Sequence, residues 1–179
     1  LNFKSQFADG YAYPNDSIVI SHFMAPGYVT LALGVNYKPV EYFEMFFSPA
    51  TGKITFVNDQ DLANIGAYGV DPALFDTSGN VITNGKKSRT EFGAYVNFKF
   101  KKDIFTNVTL ASKLELFNNY TDKDKDNVKN IDVNWEVGLL MKVNKFMTAS
   151  VLTQLIYDAN TIARTQFKEV IGVGVGYKF

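Results

Sequence analysis

Few residues in this chain can carry acid-base or nucleophilic chemistry. The only histidine is His22, and it follows Ser21 directly, so a hydroxyl nucleophile type and the one imidazole base are neighbours in sequence. Nucleophilic catalysis needs those two side chains within hydrogen-bond reach of each other. Adjacent side chains in a strand point to opposite faces, so this spacing makes a poor dyad. No catalytic residue is assigned, and the chain is expected not to be an enzyme. Cysteine is absent, which removes thiol catalysis, disulfide scaffolds and zinc ribbons. The one stretch with metal-ligand spacing is Asp122-Lys123-Asp124-Lys125-Asp126, whose carboxylates alternate as they do in calcium loops. Asn127 stands where such a loop needs glycine and Val133 where it needs its closing glutamate. A solvated surface loop is the expectation there, with no metal and no cofactor.

The remaining polar groups of interest fall at every second position: Lys4 and Gln6, Arg89 and Glu91, Asn97 and Lys99, Lys113 and Glu115, and Asp132, Asn134 and Glu136. Their spacing points to the elements that hold them. Along 131 to 143 the odd positions read Ile, Val, Trp, Val, Leu, Met, Val and the even ones Asp, Asn, Glu, Gly, Leu, Lys. Period two describes a strand with one apolar and one polar face. Val29, Leu31, Leu33, Val35 and Tyr37 repeat it, as do Phe92 to Phe100 and Ile171 to Phe179. The pattern weakens between Met147 and Asp158, where Leu152 and Ile156 fall on the polar phase. Pro49 cannot donate a ladder hydrogen bond, so a bulge is expected there, shifting the phase so that Ile54 and Phe56 rejoin the apolar face.

Eight strands result, at about 1 to 9, 26 to 38, 41 to 58, 88 to 101, 107 to 120, 130 to 143, 146 to 158 and 166 to 179. Connections after the second, fourth and sixth are short, and those after the others are long, so short and long connections occupy opposite ends of the sheet. The long segment 59 to 87 predicts a turn or two of helix after an Asn58 or Asp59 cap and a tight turn at Thr77-Ser78-Gly79-Asn80. Its Leu62, Ile65, Tyr68, Leu74 and Phe75 are more apolar than a solvated loop needs, and would either fold into an interior as a constriction or cover a partner. Each even strand ends in an apolar residue and a lysine, and Phe43, Phe105 and Phe146 follow the short turns. Aromatic rings and lysines gathered at one level suit a membrane-water interface.

Composition narrows the class. With 179 residues, 46% of them apolar, the chain has enough apolar surface for one folded domain, 1 to 179, and is too apolar for disorder. Eighteen Lys and Arg balance eighteen Asp and Glu, which disfavours a protein that binds nucleic acid by neutralising phosphates. No apolar run reaches the roughly 20 residues of a membrane-crossing helix. Long alternating strands with connections short at one end and long at the other are the pattern of a transmembrane antiparallel up-and-down β-barrel, an all-β fold. A soluble barrel or sandwich shows the same period with the apolar face turned inward, so alternation by itself leaves both open.

The C-terminus separates them by resemblance. Ile171, Val173, Val175 and Tyr177 lead in register to a terminal Phe179, which resembles bacterial outer-membrane barrels. That resemblance implies that Tyr177 and Phe179 form the signal read by the barrel-assembly machinery, and that outer-membrane lipid surrounds the chain. The segments Leu1 to Ala8, Ser48 to Asp59, Asn130 to Glu136 and Leu155 to Asp158 are similar to an uncharacterised Bacteroidota-type outer-membrane family, a domain of unknown function. The resemblance spans most of the chain and implies that its eight strands are the C-terminal part of a barrel of about twelve, with N-terminal strands missing. It implies no activity.

If the apolar rows face lipid, Lys4, Arg89, Glu91, Lys99, Lys113, Glu115, Asp132, Asn134 and Glu136 line the lumen. One register sets Lys113 opposite Glu136 and Glu115 opposite Asn134. Two functions stay open: porin-like passage of small solutes through a charged lumen, and a closed barrel serving as a structural or accessory subunit beside other envelope proteins. Inward Gly172, Gly174 and Gly176 either ease strand curvature or make room for a plug.

Overall fold

A computed structural model of the chain describes residues 1–14, 16–121 and 131–177. The Asp122 to Asp126 segment and Phe179 lie outside the described residues. Twelve strands run in the order β1 (Asn2–Ser5), β2 (Gly10–Tyr11), β3 (Val19–Ser21), β4 (Gly27–Val40), β5 (Phe43–Phe56), β6 (Leu74–Phe75), β7 (Val81–Thr83), β8 (Ser88–Phe105), β9 (Val108–Asn119), β10 (Ile131–Lys142), β11 (Met147–Asp158) and β12 (Ile162–Val175), with a short helix α1 (Gln60–Asn64) after β5. Eight form one sheet in the order β1-β4-β5-β8-β9-β10-β11-β12. Each is hydrogen-bonded to its neighbour in this list, an up-and-down order. The pairings β1 with β4, β8 with β9, β9 with β10, β10 with β11 and β11 with β12 are antiparallel.

The eight strands expected from alternation are the eight of this sheet, with limits shifted where side chains intervene. The first is shorter than 1 to 9: Pro26, next in register opposite Gln6, has no N–H to return to the ladder, and the Gln6 carbonyl accepts from the Met24 N–H at 3.0 Å instead. The last begins at Ile162 rather than 166. Asp158 sets that turn, its carboxylate accepting from the backbone N–H groups of Asn160 and Thr161 at 3.0 and 3.1 Å and from the Thr161 hydroxyl at 3.0 Å. β8 extends past 101 to Phe105, and Asn107 turns the chain with a positive φ of 70°.

Two compact units result, Leu1–Ala32 with Thr51–Phe92, and Leu33–Ala50 with Gly93–Phe179. The first holds the small apolar core of Ala25, Val57, Leu62, Ala63 and Val70, with Ala67 and Tyr68 packed against it. Asp59 caps α1 by accepting the Leu62 N–H at 2.8 Å, which places the predicted helix. Within the long segment 59 to 87, Leu62 is buried in this core and Tyr68 packs on it, while Ile65, Leu74 and Phe75 are exposed. The rest of that segment makes the β6–β7 hairpin, closed by the Asp76 carboxylate accepting from the Ser78 and Asn80 backbone, both at 2.8 Å.

In the second unit β4 meets β5 closely. A Cβ on Gly34 would stand 2.7 Å from the Phe47 carbonyl carbon and 2.8 Å from Ser48 Cα. Next to this contact the buried positions of β5 change parity, from Ser48 to Thr51 and Thr55 across Pro49. That is the phase shift expected from a strand that must accommodate a proline without an N–H. The Ser48 hydroxyl bonds the carbonyls of Leu33 at 2.7 Å and Ala50 at 3.0 Å.

Candidate functional site: a lysine-lined groove on the polar face

Antiparallel register fixes which side chains share a face. In the second unit Lys99 lies opposite Lys113, Lys113 opposite Glu136, Glu136 opposite Gln154 and Gln154 opposite Lys168. One rung of five polar side chains thus crosses β8 to β12. The rung toward the long connections holds Asn97, Glu115, Asn134, Ile156 and Gln166. The rung on the other side holds Lys101, Ala111, Gly138, Leu152 and Val170. Ala111 and Gly138 are small, and a groove of about 460 Å³ opens beside them, with Lys99, Lys113, Glu136, Gln154 and Lys168 along its lining and Leu152 and Val170 on its wall.

Hydrogen bonds organise the polar rung above it. The Glu115 carboxylate, 13% exposed, accepts from the Tyr95 hydroxyl at 2.7 Å and from Asn134 Nδ2 at 3.0 Å, and pairs with Lys113 Nζ at 3.0 Å. Asn97 Nδ2 donates to the Tyr95 hydroxyl at 2.9 Å, and Gln154 Nε2 donates to Asn134 Oδ1 at 2.9 Å and reaches Glu136 at 3.5 Å. Lys99 stands 3.5 Å from Glu44. Such a network holds its members in place, because a buried carboxylate left without donors is costly. The register expected from alternation, Lys113 opposite Glu136 and Glu115 opposite Asn134, is the one observed. Lys113, however, bonds along its own strand to Glu115.

The other anticipated residues are dispersed. Asp132 lies opposite Phe117, on the same face as Glu115 and beyond the Asn134 rung. Lys4 lies in β1 opposite Tyr28 in the first unit and is exposed. Arg89 and Glu91 also belong to the first unit, where Glu91 is 2% exposed between the Arg89 guanidinium, which donates to it, and Lys53 Nζ at 3.5 Å. Arg89 further reaches the Gly69 carbonyl at 3.4 Å. Gly172 and Gly174 leave room for hydroxyls of β11: a Cβ there would meet Ser150 Oγ at 2.9 Å and Thr148 Oγ1 at 2.8 Å.

Ser21 and His22 sit in the connection between β1 and β4. His22 Nδ1 lies 2.7 Å from Asp9 and Nε2 3.7 Å from Asp59, so both ring nitrogens are turned to carboxylates. The hydrogen bond to Asp9, with the charges of Asp9 and Asp59, raises the imidazole above its usual 6.5.

Gln154, Lys168, Leu152 and Val170 were not anticipated as site residues. Their signal is parity: Leu152 and Ile156 break the alternation on the polar phase, and Gln154 shares that phase between them. Only the pairing with β10 and β12 turns this irregularity into a wall of the groove.

At the short-connection end four aromatic residues form two pairs. Tyr42 meets Phe100 edge-on at 5.9 Å with Lys102 Nζ 4.4 Å over its ring, and Phe146 stacks on Tyr177 at 5.5 Å with Lys145 Nζ 4.9 Å over it. No protein family, curated protein or solved structure matches the chain.

Proposed function

We propose that the chain is part of a bacterial outer-membrane β-barrel of about twelve strands, of the Bacteroidota-type family it resembles, and that small solutes pass along its charged face. One observation carries this reading: the sheet bares its apolar face and buries polar side chains. Leu33, Val35, Ile171, Val173 and Val175 are each 69–79% exposed, whereas Ser48, Thr51, Thr55 and Glu91 are buried. Water-soluble monomers seldom expose contiguous apolar patches beyond about 300–600 Å², and rows of this kind on β4 and β12 ask for a hydrocarbon solvent. In that solvent every backbone donor needs a partner, which requires closure. The Tyr42–Phe100 and Phe146–Tyr177 pairs, with Lys102 and Lys145 over them, support an interfacial girdle at the short-connection end. Tyr177 and Phe179 then serve the assembly machinery.

The groove favours passage. The side-chain network around Glu115 favours the second reading, a filled barrel that acts as an accessory subunit with envelope partners. Single-channel conductance of the full-length chain in a planar bilayer decides between them. Steady conductance whose ion preference changes in Lys113→Glu and Glu136→Lys supports passage. A correctly inserted but silent chain refutes it.

A further inference from the structure

The rung that crosses β8 to β12 leaves two opposite charges uncommitted. Lys99 is paired with Glu44 and Lys113 with Glu115. Among the described residues Glu136 has only the Gln154 amide, at 3.5 Å, and the Lys168 ammonium has no side-chain partner. Gln154 stands between them in register. One rung away the groove wall turns apolar: Leu152 lies over Gly138, where a glycine Cβ would come within 2.9 Å of its Cδ2, and Val170 lies opposite Leu152. An anion, a cation, an amide between them and an apolar recess beside them describe the complement of a ligand with the same four features.

The geometry points to this groove as a binding site for a short zwitterionic peptide carrying an apolar side chain. The ligand ammonium pairs with Glu136, its carboxylate with Lys168, its peptide group with Gln154, and its side chain enters the recess at Leu152 and Val170. Length follows from the sheet. Neighbouring strands are about 4.8 Å apart, so Glu136 and Lys168, two strands apart, are rooted about 10 Å from each other. Hydrogen bonds of about 2.8 Å at both ends leave a ligand charge separation of about 4–10 Å. A peptide spans about 3.3–3.6 Å per residue, which selects two or three residues. The groove volume of about 460 Å³ is within the range of small-ligand sites. This inference rests on the reading of the polar face as a solute path and names the solute class.

The test is isothermal titration of the full-length chain in detergent micelles with the dipeptide Leu-Leu, its N-acetyl and C-amide forms, and a fatty acid of similar size, with heat-modifiable gel migration checking the fold of each variant. Acetylation or Glu136→Gln is expected to weaken Leu-Leu by about tenfold or more, the loss of one hydrogen bond to a charged group. Amidation or Lys168→Gln is expected to do the same. In Glu136→Gln, acetylation should make no further difference, which a merely structural role for Glu136 would not produce. Leu152→Ser should weaken Leu-Leu more than Gly-Gly. Equal binding of free, acetylated and amidated peptides overturns the assignment, as does binding of the fatty acid alone or no binding by a folded chain. Micelle binding needs no pore, so a chain that binds but does not conduct refutes passage and keeps the site. A chain that conducts but does not bind refutes the site alone.

Discussion

On the proposed bilayer placement, a charge introduced on the apolar row of β4 should cost stability according to depth. Leu33 is 77% exposed and Tyr37 57% exposed on that row. Leu33 is seven residues and Tyr37 three residues from Val40, the last residue of β4 at the short-connection end. At about 3.4 Å per residue and a tilt of about 45°, these separations correspond to about 17 Å and 7 Å along the membrane normal. With Tyr37, an aromatic beside Lys38, set at the rim of an apolar band about 25 Å tall, Leu33 lies about 10 Å deeper, close to the middle of the band. Arginine at the midplane of such a barrel costs about 2–4 kcal/mol and near the interface about 0–1 kcal/mol. Leu33→Arg is therefore expected to lose about 2–4 kcal/mol and Tyr37→Arg less than about 1 kcal/mol. On a water-exposed strand both would fall within about 0.5 kcal/mol of zero. Reversible urea unfolding in lipid vesicles, followed by the fluorescence of the only tryptophan, Trp135, and by circular dichroism, measures the difference. Equal, near-zero costs at the two positions would refute the lipid-facing assignment of this row.

Further outcomes follow from local geometry. Glu91→Ala takes the buried carboxylate away from Arg89 and Lys53, which are 18% and 21% exposed, so it should cost toward the lower end of about 3–5 kcal/mol. Asp71→Ala, which removes an exposed pair with Lys86 at 2.9 Å, should leave the midpoint close to that of the parent chain in the same denaturation assay. His22 has its proton affinity raised by Asp9 and Asp59, so the order it lends the 10 to 25 connection is complete below its usual 6.5 and is lost as pH rises through the raised value. Amide exchange at Asn58, whose N–H bonds Met24 O at 3.0 Å, should report that loss once corrected for intrinsic rates, and His22→Gln should remove the pH dependence. Gly34→Ala drives a methyl into the backbone of Phe47 and Ser48 and should cost about 1–3 kcal/mol. Gly52→Ala, with nothing within 4 Å of the new methyl, should unfold near the urea midpoint of the parent chain.

Strand identity and much of the register were legible because side-chain direction alternates with period two and a one-residue slip would exchange the faces. Thus Ile131 to Val143 reads as a strand, and the opposition of Lys113 to Glu136 follows from matching the faces of two neighbours. The start of β12 was less legible. Its first residues follow a turn held by the Asp158 carboxylate, a local side-chain choice that competes with the alternation signal. That Lys53 joins Arg89 at Glu91 was also hidden, since Lys53 stands on another strand and beyond the phase change at Pro49.

By itself the sequence determined that this chain is built of long alternating strands in up-and-down order, with a helix cap at Asp59 and a phase change at Pro49, because these depend on the chemistry of neighbours along the chain. Tertiary structure alone decided which charges meet and where space remains. Lys113 turns to Glu115 rather than to the Glu136 opposite, Tyr95 and Asn134 converge on the same carboxylate, and Leu152 leaves the alternation to lie over Gly138. Those outcomes depend on rotamers and on side chains brought together from different strands, and no periodicity within one strand encodes them.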